Sequence, residues 1–364
     1  MGKKFTIGVL IGNVHTAHPK DLIRGIRAAA SGTDVNVIYF LGTQSVRFNQ
    51  KFALEDFDYQ YNTVYDYAKL AKVDVLIIAY GSLCIFQENG DKQAFLDKFA
   101  GIPYVLLEDV TDDPQGIYVI VDNYGGMRKC VEHLIIEHHL KKLVYLGGPE
   151  DNQDAIERKA AFLNVMTEHH LPVTPEMMAV GDYSEFVDNL VEQLLRDNPD
   201  AEAIVSANDE MTVACYRVCK AHGLRIGKDI LITGFDDVER ARYSNPPLTT
   251  VSQDAYKMGQ IAVEKAVDIC AGRPVESVRM EAELIIRESC GCKVTRRAKE
   301  KADEKTELLH IIDELRLFQH KSWLGPFLIR DLMQEAENEK SFYRKSGEAF
   351  YHLGIRSSLL YLLE

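Results

Sequence analysis

Three short stretches in the second half of the chain decide its fold class. They read Ala203-Ile-Val-Ser-Ala-Asn-Asp209, Ile232-Thr-Gly-Phe-Asp-Asp237 and Pro246-Pro-Leu-Thr-Thr-Val-Ser-Gln253. Each places polar side chains directly after an apolar run. In an open α/β sheet the carboxyl ends of the strands line one crevice, so polar clusters at successive strand ends predict a site for a small polar molecule. The pattern is typical of a sensor or a carrier and not of a scaffold.

Apolar runs of strand length recur along the chain and predict strands that are buried on both faces. They lie at residues 5–11, 35–41, 73–80, 103–107, 117–121, 142–146, 203–206, 230–233 and 284–286. Helical patterns lie between most of them, for example Met127, Val131, Leu134 and Ile135. Alternating strands and helices predict parallel, doubly wound sheets, and so many strands would make one sheet unusually wide. We therefore predict two α/β lobes.

The seam between the lobes is predicted at Asp122-Asn-Tyr-Gly-Gly126. Glycines there let the backbone turn, and Asn123 is suited to cap the following helix. A hinge at Asp122 and Asn123 and an ordinary strand-to-helix turn both fit this pattern.

A helical tail is predicted after the globular body, over residues 293–364. After Cys292 the sequence changes to mixed charges without a core pattern. Leu308, Ile311, Leu315 and Phe318 then recur at spacings of three and four, as in the seam of a coiled coil between two copies of the chain. The apolar stretch Leu359-Leu-Tyr-Leu-Leu363 predicts either a missing output domain or a helix docked on the dimer partner.

Charge and cysteine content narrow the class of protein. The formal net charge of -13 argues against direct nucleic-acid contact, because phosphate binding needs clustered Lys and Arg. No apolar segment is long enough to cross a membrane. Seven cysteines, an odd number scattered through helix and strand patterns, predict reduced thiols and a cytoplasmic protein.

Cys290-Gly-Cys292 is the one close cysteine pair and invites a metal interpretation. A zinc site normally has a wider spacing and a second pair or histidines at matching spacing, and the sequence shows neither. We therefore predict structural thiols, with no metal and no cofactor.

Residues 4–292 resemble the ligand-binding core of the LacI/GalR repressors, which has the periplasmic-binding-protein type 1 fold. The matching motifs are Gly101-Ile-Pro-Tyr-Val-Leu-Leu-Glu108, Val121-Asp-Asn, His133-Leu-Ile, Leu146-Gly-Gly-Pro149, Glu157-Arg158, Asn208-Asp209, Gly234-Phe-Asp-Asp237, Pro247-Leu-Thr-Thr-Val-Ser-Gln253 and Arg287-Glu-Ser-Cys290. The resemblance implies two lobes joined by three crossovers. The expected first lobe is 1–122 plus 248–275, and the expected second lobe is 123–247 plus 276–292.

The resemblance also implies that a ligand lies between the lobes. The residues expected to bind it are Asn13, His15, Tyr80, Glu108, Arg158, Asn208, Asp236 and Gln253. Carboxylates accept hydrogen bonds from paired hydroxyls, while guanidinium and amide groups donate, so the expected ligand is a carbohydrate or a derivative.

Several of these residues have structural alternatives. Arg158 could form a surface ion pair with Glu157 or Glu150, and Asp209 could cap a helix that begins at Glu210. Of Asp236 and Asp237, one is expected to face the ligand and the other to bind local backbone. The loop histidines His15 and His18 are expected to be exposed to solvent.

The ending Arg287-Glu-Ser-Cys-Gly-Cys292 resembles the form in which this core is the N-terminal sensor of a bacterial signalling protein, with a diguanylate cyclase, histidine kinase or AraC-type output. Residues 62–65 and 79–83 are similar to that subgroup. A LacI/GalR repressor begins with a helix-turn-helix, whereas here the first strand begins at Phe5. The expected function is therefore a ligand-sensing module. The alternatives are a repressor core without its DNA-binding part and a solute-binding transport protein.

An enzyme is not expected. The sequence has no Gly-x-Gly-x-x-Gly after the first strand, no Gly-x-x-x-x-Gly-Lys phosphate loop and no Gly-x-Ser-x-Gly elbow.

Overall fold

The computed structural model describes residues 4–12, 14, 17–42, 62–84, 89–111, 113 and 116–293. All of them lie in one compact unit of the chain. Within these residues the strands form two sheets of six strands each, one for each lobe. The helical tail and its seam residues Leu308, Ile311, Leu315 and Phe318 lie outside the described residues.

The strands are short and mostly buried. They are β1 Phe5–Gly12, β2 Val35–Gly42, β3 Val75–Ile78, β4 Tyr104–Leu107, β5 Ile117–Val121, β6 Leu143–Gly147, β7 Met178–Val180, β8 Ala203–Ser206, β9 Leu231–Asp236, β10 Thr249–Ser252, β11 Val278–Met280 and β12 Glu283–Ile285. Every residue of β3, β6 and β8 is buried, because helices cover both faces of each sheet.

The α-helices are α1 Ala17–Ser31, α2 Tyr67–Leu70, α3 Tyr80–Leu83, α4 Asn89–Asp97, α5 Asn123–Glu132, α6 Gln153–Glu168, α7 Asp188–Asp197, α8 Asp209–Ala221, α9 Glu239–Tyr243 and α10 Ala255–Cys270. Two 3₁₀ turns lie at Thr63–Asp66 and Pro175–Met177, and a π-helical turn, His133–Glu137, continues α5. No helix in the described part of the chain combines the length and apolar character needed to cross a bilayer.

The two lobes repeat one strand order. The first sheet runs β11-β5-β4-β3-β1-β2 and is parallel throughout. The second runs β12-β10-β9-β8-β6-β7, and only β12 is antiparallel to its neighbour. The strand order reverses between β1 and β3 and again between β6 and β8, and such switch points are where open α/β sheets bind ligands.

The chain passes between the sheets three times, and the second and third crossovers lie at other residues than predicted. The first crossover follows β5. The second follows β10, which was expected in the first lobe but pairs with β9 in the second sheet. The third follows β11, which was expected in the second lobe but extends the first sheet beside β5. The helix α10 between them does return to the first lobe, where it packs on α1.

Two glycines allow α1 and α10 to approach closely. A Cβ atom added at Gly25 would lie 1.9 Å from the carbonyl oxygen of Tyr256, and one at Gly259 would lie 2.4 Å from that of Leu22. Real Cβ atoms do not approach oxygen so closely, so this helix contact requires glycine at both positions.

Candidate functional site

Polar side chains from both lobes follow the carboxyl ends of the strands. In the first lobe His18 lies in α1 after β1, Ser82 in α3 after β3, and Glu108 directly after β4. In the second lobe they are Arg158 in α6 after β6, Asn208 after β8, Asp236 at the end of β9 and Gln253 after β10. Asn208, Asp236 and Gln253 thus lie at or just after strand ends, where the sequence pattern placed polar groups.

Glu108 is held in a fixed orientation by the first lobe. Its Oε1 lies 2.6 Å from Nε2 of His18, and its Oε2 accepts hydrogen bonds from the backbone N–H of Ser82 at 2.8 Å and from the Ser82 hydroxyl. The backbone of Glu108 is left-handed, with φ of 71°. Gly81 makes this turn possible, because a Cβ atom there would lie 2.7 Å from the carbonyl oxygen of Glu108.

Arg158 is buried, with 2% of its surface exposed. Its Nε donates to Oδ1 of Asn123 at 2.8 Å, and one terminal nitrogen donates to the carbonyl oxygen of Ala207 at 2.7 Å. Two carboxylates balance its charge, Asp154 at 3.5 Å and Asp236 at 3.7 Å. The guanidinium carbon lies 3.8 Å from the centre of the Phe235 ring, which adds a cation–π contact. The alternative of a surface ion pair is wrong.

Asp236 and Asp237 have different partners. Asp236 accepts a hydrogen bond from the side-chain amide of Gln253, which brings together the ends of β9 and β10. Asp237 pairs with Arg287 and, at 3.1 Å, with Arg242. Both backbones are left-handed, with φ of 121° and 53°. Asp237 is thus engaged by arginines and not by the local backbone as expected.

Charged groups of each lobe affect the pKa values of groups in the other lobe. Burial lowers the pKa of His18, but the carboxylates of Glu108, Asp236 and Asp154 outweigh it and raise that pKa above its usual value. Burial raises the pKa of Asp154 to about 7 despite the attraction of Arg158, and Glu108 across the cleft adds to the rise. Burial also raises the pKa of Asp236, against the effects of Arg158 and His18. Residues of both lobes therefore share one electrostatic site.

The caps at two helix starts differ from the predictions by one residue. Asp122, and not Asn123, caps α5 by accepting from the backbone N–H of Gly125 at 3.0 Å. Asn123 begins the helix and bonds to Arg158 and Asp154. Likewise Asn208, and not Asp209, caps α8. Asp209 is buried and accepts from the Thr250 hydroxyl at 2.6 Å, which ties α8 to β10.

The remaining predicted ligand residues are placed as follows. Tyr80 is buried at the start of α3, in the core of the first lobe with Leu83 and Cys84. Asn13 and His15 lie outside the described residues. Asp122 and Asn123 lie at the first crossover, where a hinge was predicted. A ligand role for each residue of the set remains a prediction.

Sequence reasoning missed three residues of the cleft. His18 was expected to be exposed, yet its side chain is 20% exposed and bonded to Glu108. Ser82 orients the same carboxylate, and Asp154 lies one helical turn before Arg158. The spacing of four residues between Asp154 and Arg158 at the start of a helix could have indicated their ion pair. The contacts of His18 and Ser82 with Glu108 could not be predicted, because they depend on the order of the strands in the sheet.

One premise of the prediction for the cysteine pair, that no histidines accompany it, needs correction. His133 and His138, which the sequence does not place near Cys290 and Cys292, lie beside them in the fold, and the ligand atoms of all four lie within 4.8 Å of one another. The two histidines that could complete a metal site with the cysteines are therefore close in the fold, although they are far away in the sequence.

Comparisons with known proteins agree with this architecture. A family described as "Periplasmic binding protein-like domain" matches residues 131–290. The HTH-type transcriptional regulator CelR of Thermobifida fusca is 31% identical over 195 residues, which cover 52% of this chain and 57% of CelR. The Lactose operon repressor of Escherichia coli (strain K12) is 27% identical over 271 residues, 74% of this chain and 70% of the repressor.

A solved structure of a transcriptional regulator CelR-cellobiose complex has the same fold, with a TM-score of 0.66 at 23% identity over 78% of this chain and 84% of that chain. The chain contains a core with the periplasmic-binding-protein-like fold, and this core is similar to the ligand-binding core of LacI/GalR repressors. The aligned residues of this chain span less than three fifths of the length of CelR. Both named relatives are transcription regulators, so the comparisons give no support to the signalling-sensor resemblance.

Proposed function

We propose that the core binds a small, neutral, polyhydroxylated compound between its lobes, a sugar or a sugar derivative, as part of a transcription regulator. The observation that carries the proposal is the convergence of Arg158 and Asp236 of the second lobe with Glu108 and His18 of the first. Fixed carboxylates accept hydrogen bonds from hydroxyl pairs, and a fixed guanidinium donates to ring or hydroxyl oxygens.

The charges of the cleft favour a neutral ligand over an anion. Glu108, Asp154 and Asp236 face Arg158 and His18 in one electrostatic site. A phosphate or carboxylate ligand would add negative charge beside three acidic groups, and like charges in a buried site are costly. A polyol adds no charge and satisfies the same hydrogen-bonding atoms.

The named relatives are regulators and neither is an enzyme by its name, in line with the expectation of a binding module. A cytoplasmic homodimer without direct nucleic-acid or membrane contact by these residues is part of the proposal. A sensor with a C-terminal output domain is the second candidate, favoured by the seam pattern from Leu308 to Phe318. The coding sequence on both sides of the chain separates the two.

The proposal is tested by a thermal-shift screen of sugars, sugar derivatives, nucleosides and sugar phosphates. A compound that binds only the native state raises the melting temperature by an amount that grows with the logarithm of its concentration relative to its Kd. We expect at least one neutral sugar or derivative to give a concentration-dependent shift, confirmed by saturable binding in calorimetry at one site per chain. Hits confined to flat apolar compounds, DNA or anions would contradict the proposal.

A further inference from the structure

Four metal-binding side chains converge on the second lobe, away from the cleft. They are His133 and His138 beside the end of α5, and Cys290 and Cys292 after β12, more than 150 residues later in the chain. We propose that these four side chains bind a structural zinc ion. No part of the ligand-binding proposal depends on this site, so the two can fail separately.

The separations between the ligand atoms fit tetrahedral coordination. With Zn–N of about 2.0–2.1 Å and Zn–S of about 2.3 Å, a tetrahedron sets N···N at about 3.3 Å and N···S at about 3.6 Å. The two histidine Nε2 atoms lie 3.3 Å apart. Sγ of Cys292 lies 3.4 Å from Nε2 of His138 and 3.7 Å from Nε2 of His133. Three atoms therefore form a nearly regular triangular face, and Cys290 is the fourth ligand within reach.

The π-helical turn brings the two histidines together. In a regular α-helix, residues five apart point about 140° away from each other around the axis. In His133–Glu137 the wider π turn instead stacks residues five apart, so His133 and His138 face the same side. Their rings meet edge to face with centroids 4.9 Å apart. A π turn is rare because its geometry is less favourable than that of a regular α-helix, and it occurs frequently at functional sites. Metal binding by the two histidines would explain why it is kept here.

A tight turn compensates for the short spacing of the cysteines. Gly291 has φ of 86°, and its backbone N–H donates to the carbonyl oxygen of Glu288 at 3.0 Å. A Cβ atom at Gly291 would lie 3.3 Å from the carbonyl oxygen of Gly227, closer than most Cβ atoms approach, so glycine suits this turn. In extended backbone Cys290 and Cys292 would share a face but lie about 6.4–6.8 Å apart, whereas here their sulfur atoms lie within 4.8 Å of each other.

A neighbouring hydroxyl group contacts the sulfur atom of Cys290. The hydroxyl of Thr249 lies 3.1 Å from Sγ of Cys290, while its oxygen already accepts the backbone N–H of Arg287 at 2.9 Å. The hydroxyl proton is therefore available to the sulfur, as outer hydrogen bonds to metal ligands commonly are. Cys290 is fully buried, whereas His138 and Cys292 are partly exposed and provide an entry path for the ion.

Two thiolates and two imidazoles in a tetrahedron select zinc over magnesium or calcium, which require oxygen ligands. The ion would connect the end of α5 to the segment after β12. It would thereby fix the position at which the chain leaves the second sheet.

The test uses the full chain, kept reduced and freed of metal with a chelator. We expect it to bind one Co²⁺ ion per chain with the sulfur-to-cobalt charge-transfer absorption of a thiolate site, and Zn²⁺ to displace the cobalt. Zn²⁺ should raise the melting temperature. Cys292→Ser and His138→Gln replace partly exposed ligands and should each weaken Zn²⁺ binding by more than about 100-fold. Loss of a residue that only hydrogen-bonds to a metal ligand already costs about 10- to 100-fold, and loss of the ligand itself should cost more.

Cys270→Ser and His222→Gln, which lie on other elements, are the matched controls and should keep the wild-type affinity for Zn²⁺. Circular dichroism identifies the folded variants, and if one ligand variant does not fold, the other decides. A cobalt spectrum without thiolate absorption, or wild-type affinity for Zn²⁺ in a folded ligand variant, overturns the proposal.

Discussion

At the scale of single residues, Arg158 organises the cleft. Its hydrogen bonds to Asn123 and Ala207 and the Phe235 ring beneath it fix the guanidinium before any ligand arrives. A pre-oriented group loses little conformational entropy on binding. The carboxylates of Asp154 and Asp236 then set how much positive charge the ligand meets.

Asp236→Asn keeps the shape of that side chain and removes its charge. We expect ligand affinity to fall by about 2 to 4 kcal/mol, or roughly 30- to 1000-fold, because a charged acceptor in a buried site is lost. The melting temperature without ligand should stay near that of the wild type. Calorimetry with the best compound from the screen measures the change, and Asp229→Asn, in an exposed ion pair with Arg225, is the control. Unchanged affinity would assign Asp236 a structural role only.

The stability of the core should depend on pH through Asp154. A group with a raised pKa binds more protons when folded than when unfolded, so stability falls as pH rises between the two values. For Asp154 that interval ends at about 7, and the raised pKa of His18 acts in the same direction. We expect the free energy of unfolding to decrease from about pH 4 to about pH 7 through Asp154, by up to about 1.4 kcal/mol per pH unit for one proton.

Denaturation at several pH values measures this slope. Asp154→Asn should flatten it, whereas Asp151→Asn, at an exposed position, should retain it. A wild-type slope in the Asp154 variant would exclude this carboxyl group as its source.

The residues that sequence could predict are those that follow a strand directly. Glu108, Asp236 and Gln253 lie at strand ends that the apolar runs locate. The contact between His18 and Glu108 joins residues 90 positions apart, and it exists only because β1 and β4 flank β3 in one sheet. No local pattern contains that information.

At the scale of elements, the contact between α1 and α10 joins the beginning of the chain to its late segment. Gly259→Ala places a methyl group 2.4 Å from a backbone oxygen, which cannot move aside like a side chain. We expect a loss of about 1–3 kcal/mol of stability. In an exposed helix the same change would stabilise, because alanine favours helix by about 1 kcal/mol.

Gly32→Ala is the control, since a Cβ atom there meets nothing closer than 3.6 Å. Urea denaturation of both variants measures the difference. Equal stability of Gly259→Ala and the wild type would show that the helices can separate at little cost.

The strands that sequence missed are short, and one of them is polar. β10 contains three hydroxyl residues, Thr249, Thr250 and Ser252, and β7 and β11 have three residues each. Their hydrophobic signal is weak because so few residues do not form a recognisable apolar run. The long apolar strands and the helices with regular apolar spacing were predicted correctly.

At the scale of the whole molecule, the number of predicted strands was enough to predict two lobes. It was not enough to predict where the chain crosses between them. Sequence places β10 and α10 next to each other, and nothing local assigns them to different lobes. The strand order decides it, since β10 pairs with β9 while α10 packs on α1.

The homodimer prediction concerns the tail, outside the described residues. Replacing Leu308, Ile311 and Leu315 together with Asp puts like charges into the predicted seam, which should weaken the dimer and leave ligand affinity unchanged. Sedimentation measures the dimer and calorimetry measures ligand affinity. The control replaces the neighbouring acidic residues together, as Glu307→Gln, Asp313→Asn and Glu314→Gln. Unchanged dimerisation would show that the tail packs elsewhere.

The late return of the chain to the first sheet has a consequence for synthesis on the ribosome. When β5 has been made, the first lobe still lacks β11 on its edge and α10 over the glycine face of α1. At about 5–20 residues per second, the remaining residues up to β11 take roughly ten to thirty seconds to emerge. During that time the second lobe can assemble most of its sheet while the first waits with an open edge. Five of the six strands of the second sheet are therefore made before the last strand of the first sheet.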